Sequence, residues 1–474
     1  MSARVVVVGG GITGLAAAWA LSRPSAASVV DVTLVDASAR LGGKILTEQV
    51  GPFLFEGGPD SFLTLKPAAV EFARELGLAD RLIGTLEPGG AYVLYRGRLE
   101  PLPDGLAGLI PQRVGPFLRS GLFSPLEKAR FACDLLVPAS RNGADESLGA
   151  FVRRRLGSAA VDRLAAPLLA GIHAGDVDRL SLRATFPQFA DAERRYGSLT
   201  AAILARRRTG RPREGAGLPM FMTLRGGLSE MVDAVIRALP EGSVRVGQVT
   251  RITTTRAGYA LALHDGAELR ADAVVLAVPA SAAAPLLVGV GPDAAGVLRS
   301  IPYVSTAAVV FAFRRADVAH PLAGHGYVVA RGERTVHTAC TWVSSKWPYR
   351  APEGYVVVRA YVGRDGDQAA LAMDDGALSR AVLSELTPLL GLRAAPTLAR
   401  VYRWPEAMPQ YLVGHLERVA AARGHLRRTR GLVLAGSAYN GVGIPDCIRQ
   451  GKEAAARVVE VLGGSRASLG GDSR

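Results

Sequence analysis

Gly9, Gly11 and Gly14 stand in the order G-x-G-x-x-G, directly after the β-branched run Val5, Val6, Val7, Val8 and just before an apolar helical stretch that begins at Leu15. In that context the spacing has a physical meaning. Gly9 makes a tight turn, Gly11 lets the backbone approach a pyrophosphate, and Gly14 lets the helix pack close to the strand, while the helix N-terminus attracts phosphate charge. Gly10, Ile12 and Thr13 complete the turn and are assigned to the same contact. Asp36 closes a second expected strand at 32–36, placed to bind ribose hydroxyls, with Ala37 beside it. A carboxylate there repels a 2′-phosphate and disfavours NADP. The glycines by themselves do not separate FAD from NAD.

The continuation does separate them. Arg40-Leu41-Gly42-Gly43-Lys44 follows the second strand, and here the chain resembles the flavin-dependent amine oxidase superfamily. The resemblance implies FAD, with Arg40, Gly42, Gly43 and Lys44 contacting it. Lys44 stands where the superfamily usually carries Arg, so a donor is kept and the bidentate fork is lost. The resemblance further implies that Gly57, Gly58, Pro59 and Asp60 pass the isoalloxazine ring, and that Val249 offers backbone contacts to the adenine. Val249's side chain alone indicates only core. Near the end, Gly436 and the run Gly443-Ile444-Pro445-Asp446 resemble the C-terminal FAD motif. A helix starting there would stabilise negative charge on a reduced flavin. Cys447 invites a covalent flavin link, but a small buried thiol is the simpler role.

Three longer strings narrow the resemblance: 170–176 (AGIHAGD), 402–411 (YRWPEAMPQY) and 441–450 (GVGIPDCIRQ). They resemble the bacterial branch of protoporphyrinogen and coproporphyrinogen oxidases over nearly the whole chain. Cys340-Thr341-Trp342 and the string 359–363 (RAYVG) add to the likeness. It implies oxidation of a porphyrinogen to its porphyrin, with dioxygen as final acceptor and hydrogen peroxide as by-product, and leaves open a hand-over of the product to a ferrochelatase. Trp404 is expected beside the flavin, although a core aromatic at a domain boundary would look the same. No side-chain base is demanded, since a meso C–H gives hydride to the flavin while pyrrole protons pass to solvent. His173 is therefore not assigned a catalytic role. Lys66, Ile172, Gly175 and Tyr361 are the candidate substrate contacts, with Lys66 the partner for a propionate. Four propionates make coproporphyrinogen III the expected substrate of a basic enzyme, with protoporphyrinogen IX as the alternative. An amine oxidase, a carotenoid desaturase and a non-catalytic flavin-binding scaffold are the rival functions.

The elements that must position these residues form an α/β and α+β fold. Short β-branched runs at 244–252, 273–278, 307–313, 355–362 and 431–435 read as strands of a discontinuous sheet system. Helical periodicity dominates 68–78, 125–136 and 148–156. The expected division is a Rossmann-like FAD-binding domain of 1–58, 222–288 and 402–464, a mixed-sheet substrate-binding domain of 59–72, 188–221 and 289–401, an inserted helical domain of 73–187 and a flexible tail of 465–474. The uncharged stretch 273–292 is interrupted by Pro279 and Pro285 and reads as a strand and a loop rather than a membrane span. The Arg-rich stretch 206–217 reads as a mobile loop. It lacks the interleaved aromatics of a nucleic-acid arm.

With 474 residues the chain exceeds what one core serves. The net charge of +14 comes from Arg, because Lys occurs only at 44, 66, 128, 346 and 452. Such a surface fits nucleic acid, anionic lipid or a polyanionic small substrate, and equally a GC-rich genome. A mean hydropathy of +0.20 keeps peripheral membrane contact open. The three cysteines lack C-x-x-C spacing, which argues against a disulfide scaffold and against a zinc site. A reducing cytoplasm is expected, because no secretory signal precedes Gly9.

Overall fold

The computed structural model describes residues 2–23, 30–87, 89–103, 106–107, 110–111, 113–140, 143–209 and 217–469. Val5 and Val7 are buried in one hydrophobic cluster while Val6 and Val8 are buried in another, so the strand Ala3–Val8 is covered on both faces. That is why it reads as a continuous apolar run, as central parallel strands do. It sits in a five-stranded sheet in the order Val244–Val246, Val30–Asp36, Ala3–Val8, Ala273–Leu276, Leu432–Leu434, every pairing parallel. The first helix, Ile12–Leu21, and the last, Ile444–Leu469, cover one face. The other face carries the antiparallel strands of 249–271 and the helices Ala280–Leu287, Pro292–Arg299 and His415–His425.

A second, seven-stranded sheet runs in the order Leu398–Pro409, Tyr303–Arg314, Tyr355–Val362, His337–Trp342, Gly326–Val329, Tyr92–Tyr95, Arg98–Pro101. It is mixed, because Gly326–Val329 pairs in parallel with Tyr92–Tyr95. The helix Asp375–Leu390 seals one face with Leu378, Val382, Leu386 and Leu390. A third, helical layer is built around Phe151, Leu164, Leu169 and Phe189.

The structure departs from the expected layout in five places. Strands Leu82–Gly84, Tyr92–Tyr95 and Arg98–Pro101 lie inside the stretch 73–187 expected to be helical. Arg96 (φ 54°) and Gly97 (φ 72°) form the two-residue hairpin turn between the last two, with Val93 and Leu94 buried on opposite sides. The helical cluster also reaches past 187 to Phe189 and Leu199. Within 273–292 the expected loop is the helix Ala280–Leu287, because Pro279 sits at its N-cap and Ala280, Ala283, Ala284 and Leu287 are buried. No helix among the described residues is long and apolar enough to cross a membrane. The helix Leu199–Thr209 takes in the start of the Arg-rich stretch, and 210–216 lie outside the described residues. The last helix continues to Leu469, beyond the expected onset of a flexible tail, and 470–474 are likewise outside.

Candidate active site

The first turn is shaped by glycine for two different reasons. Gly9 has φ +108°, and a Cβ on Gly14 would stand 1.8 Å from the Gly9 carbonyl oxygen, so both are fixed by packing. Gly11 is the reverse case, for a Cβ there meets nothing within 4 Å. Open space at that point, beside a first helix whose N-cap has no side-chain cap, is what a pyrophosphate path requires. Ile12 and Thr13 are the helix's first buried residues. Asp36 braces the turn with both oxygens, accepting from Gly10 N–H at 2.5 Å and Ser38 N–H at 2.7 Å, and Ala37 lies between.

The Gly42-Gly43 turn lies against this one. Gly42 N–H donates to the Gly10 carbonyl at 2.8 Å, and a Cβ on Gly43 would come within 3.1 Å of Gly11 Cα. Arg40 turns inward, with Nη1 on the Ile45 carbonyl at 2.9 Å and Nη2 on the Gly43 carbonyl at 2.6 Å, so it shapes the turn expected to contact the cofactor. Lys44 has no ion-pair partner among the described residues. Burial lowers its pKa, with the neighbouring Cys447 pulling the other way.

The loop at 57–60 is clamped from three sides. Trp404 Nε1 donates to the Gly57 carbonyl at 2.8 Å, and a Cβ on Gly58 would strike the Lys44 carbonyl oxygen at 1.8 Å. Arg359 donates through Nη1 to the carbonyls of Glu56 (2.7 Å) and Gly58 (2.9 Å). Asp60, next to Pro59, is buried and accepts from Trp347 Nε1 at 3.2 Å and from Lys346 at 3.1 Å. Burial alone would raise Asp60, but Lys346 and Arg359 outweigh it and hold the carboxyl well below the usual range. Its side chain therefore anchors the loop. The Arg359 guanidinium also bonds the Tyr361 hydroxyl, with Nε at 3.0 Å.

At the other end of the chain, Gly436 is buried with φ +137° and open space where a Cβ would be. Gly441 wraps Asp446, which would lie 2.4 Å from an added Cβ, and Gly443 approaches it at 3.3 Å. Asp446, in the first turn of the last helix after Ile444 and Pro445, is ion-paired with Lys66 at 2.6 Å. The lysine expected to meet a propionate thus has a carboxylate partner already. Burial pushes the Cys447 thiol up to about 11, which keeps it protonated and unreactive. Val249 is buried at the start of the strand Val249–Thr255.

Ile172 and His173, expected in a loop, end the helix Ala166–His173, which Ala174 closes in the left-handed conformation (φ 49°) ahead of Gly175. Ile172 is half exposed, while His173 is buried and held neutral, its pKa lowered to about 4 by burial and by Lys66. Gln410 Nε2 donates to the His173 carbonyl at 2.9 Å, and a Cβ on Gly175 would meet Leu180 at 2.3 Å and Gln410 Oε1 at 2.5 Å. Gly175 lines a pocket of about 210 Å³ with Val329, Arg331 and Arg364. Tyr361 is half-buried on the seven-stranded sheet, its hydroxyl also near Thr341. Among the described residues no cluster of His, Cys, Asp or Glu could hold a metal ion. Arg359, Lys346, Gln410 and Glu56 are the site-forming residues that sequence reasoning left unassigned. Arg359 and Gln410 lie inside the strings that carry the resemblance, whereas nothing in the sequence marks Lys346 beyond the scarcity of lysine.

The pattern of the family described as flavin containing amine oxidoreductase matches residues 12–459. The chain belongs to that family. The flavoenzyme is 40% identical over 469 residues to the coproporphyrinogen III oxidase of Bacillus subtilis, covering 97% of this chain and 98% of that one. It is 32% identical to the chloroplastic protoporphyrinogen oxidase of Oryza sativa, over 98% of this chain and 89% of the other. A solved structure from Exiguobacterium, which carries a provisional protoporphyrinogen oxidase name, superposes with a TM-score of 0.85 at 34% identity, over 97% and 99% of the two chains. The bacterial porphyrinogen oxidase branch of the superfamily is therefore where the flavoenzyme falls. Its cofactor is FAD and its activity that of an FAD-dependent oxidase. The open space at Gly11 and Gly436, the uncapped first helix and the unpaired Lys44 fit that cofactor.

Proposed function

We propose that the flavoenzyme oxidises coproporphyrinogen III to coproporphyrin III in haem biosynthesis, with dioxygen as electron acceptor and hydrogen peroxide as by-product. The near end-to-end identity with a coproporphyrinogen III oxidase carries the proposal. FAD, when bound, supplies the acceptor for a hydride and passes electron pairs on to dioxygen. The protein's part is to hold the ring and to admit the macrocycle. Arg359 and Trp404 fix the loop at 57–60, Gly57 and Gly58 keep it free of side chains, and Gly175 lines a neighbouring pocket of about 210 Å³. His173 is buried, with its pKa lowered to about 4, so no side-chain base is assigned and the pyrrole protons pass to solvent. Lys66, Ile172, Gly175 and Tyr361 are proposed to line the substrate site, with the cofactor residues assigned above around FAD.

Turnover of coproporphyrinogen III and protoporphyrinogen IX by the purified holoenzyme, followed by porphyrin fluorescence and oxygen uptake, tests the assignment. A kcat/KM at least about tenfold higher for the tetrapropionate is expected. Turnover of an amine with no porphyrin formed would overturn it, and so would a flavin that keeps its colour on anaerobic mixing with porphyrinogen. Peripheral membrane contact is favoured by Leu118, Leu126 and Leu136, exposed on the helical layer near Lys128. Sedimentation with anionic vesicles, weakened in Leu126→Ser/Leu136→Ser, is the expected outcome, and a protein that stays in the supernatant would remove the membrane from the picture.

A further inference from the structure

Lys66, the cation expected to meet a propionate, is held by Asp446 at 2.6 Å, so the substrate's carboxylates need other partners. The seven-stranded sheet offers them. Val358, Ala360 and Val362 are buried in one cluster with the helix Asp375–Leu390, as are Cys340 and Trp342 on the next strand. Side chains alternate along a strand, so Arg359, Tyr361 and Thr341 face the opposite side of the sheet. The register surrounds them with small residues: Ala308 and Ala339 stand opposite Tyr361, and Gly326 stands opposite Thr341. Tyr361 and Thr341 are half-buried on this low floor. Thr341 lies three strands from Trp404, about 14 Å at the usual strand spacing, and its strand runs against the helix Ala166–His173, which carries Ile172.

Arg359 fixes which way the hydrogen bonds on this floor run, because a guanidinium carries only donors. Its Nη1 holds the Glu56 and Gly58 carbonyls, while Nε, at 3.0 Å, and Nη2 both donate to the Tyr361 hydroxyl oxygen. That oxygen already accepts two bonds, so the phenol can only donate to anything further. Its neighbour is the Thr341 hydroxyl at 3.3 Å, longer than the ~2.7–2.8 Å of a well-made O–H···O bond, so neither hydroxyl satisfies the other. Two donors side by side, with a buried cation behind one of them, fit an anionic acceptor. The pyrrole nitrogens of a porphyrinogen all carry hydrogen, which leaves its propionate carboxylates as the acceptors. We propose that Tyr361 and Thr341 donate together to one propionate carboxylate, and that Arg359 is the positioning residue that keeps the Tyr361 proton turned toward it. The inference rests on the porphyrinogen reading above. Because tetra- and dipropionate substrates both carry such a group, the seat orients the macrocycle and does not choose between them.

The test is binding of coproporphyrin III and of its methyl ester to the FAD-loaded protein, followed by the porphyrin absorbance shift, in wild type, Thr341→Val, Tyr361→Phe and Arg359→Lys. The ester keeps the macrocycle and removes the carboxylate charge. Thr341→Val and Tyr361→Phe should each weaken binding of the acid about tenfold and leave the ester within about twofold, as for loss of a hydrogen bond to a charged group. Arg359→Lys should weaken the acid in the same way, and adding it to Tyr361→Phe should weaken it no further, since Arg359 acts through that hydroxyl. Equal losses for acid and ester would make the pair a packing surface, and lowered FAD affinity with porphyrin binding unchanged would assign the hydroxyls to the cofactor. Either result overturns the seat, as does unchanged binding of the acid in the hydroxyl variants. A wild-type holoenzyme that turns over no porphyrinogen would instead overturn the reading on which the seat rests. Thr341→Val removes only a hydroxyl from a half-buried side chain, so it carries the test should Tyr361→Phe or Arg359→Lys fail to fold.

Discussion

Two buried residues that bracket the loop at 57–60 make opposite use of charge. Glu56 accepts from Leu228 N–H and the Thr47 hydroxyl, each at 2.8 Å, yet burial still pushes its pKa up to about 7, against the pull of those bonds and of Arg350 and Arg359. An acid whose folded value lies above its ordinary 4.5 costs nothing while it is protonated in both states. The cost grows as pH rises from the unfolded value and is complete above the folded one. Glu56→Gln should therefore gain stability relative to wild type between pH 5 and 8, by up to about 3 kcal/mol, as read from urea unfolding at each pH. A difference that does not vary with pH would show that Glu56 is not the titrating group. Arg359, by contrast, is permanently charged and joins the Glu56 and Gly58 carbonyls to Asp60 and Tyr361. Arg359→Met leaves Asp60 with Lys346 as its sole ion-pair partner among the described residues and should cost about 3 to 5 kcal/mol, measured by the same unfolding. A loss under about 1 kcal/mol would contradict the clamp.

At the scale of elements, the strand, turn and first helix separate two meanings of glycine. A Cβ on Gly14 collides with the Gly9 carbonyl, so Gly14→Ala should destabilise the protein whether or not FAD is bound. Gly11, at φ −69°, has open space, so Gly11→Val should leave the melting temperature of the apoprotein close to wild type while abolishing FAD retention. Apoprotein melting and flavin absorbance of the purified variants distinguish the two, and a flavin-loaded Gly11→Val would refute the pyrophosphate path. This unit was legible in sequence because each of its constraints is local: a valine run buried on both faces, glycines at fixed offsets, and an acid at the next strand end. The hairpin at 92–101 was not. Its first strand is paired with a segment more than two hundred residues away, and its turn is Arg-Gly rather than the usual Asn-Gly. The helix Ala280–Leu287 was hidden by Pro279 and Pro285, since proline in a sequence reads as a break while Pro279 here serves as the start. Site residues such as Lys346 and Gln410 were hidden for the same reason of distance: Lys346 matters through Asp60 and Gln410 through His173.

Over the whole molecule the question is what a net charge of +14 does for coproporphyrinogen III, the proposed substrate, which carries four carboxylates. Near the pocket the cations are largely matched, with Arg331 on Asp178 at 2.6 Å, Arg179 on Asp365 at 2.6 Å and Arg364 on Asp367 at 3.2 Å. Lys66 is matched by Asp446. Local ion pairs of this kind give the pocket shape but little net attraction, so an advantage for the tetra-anion must come from the summed field of the surface. That field acts on encounter and is screened by salt over a Debye length of about 10 Å at about 0.1 M. Raising the salt from about 0.02 M to about 0.3 M should therefore lower kcat/KM for coproporphyrinogen III several-fold, leave kcat nearly unchanged, and lower kcat/KM for a dipropionate porphyrinogen only about half as steeply on a logarithmic scale. Equal slopes for the two substrates would mean that surface charge does not choose between them. The selection would then lie in the pocket itself, and Arg331→Gln and Arg364→Gln would be the variants to change it.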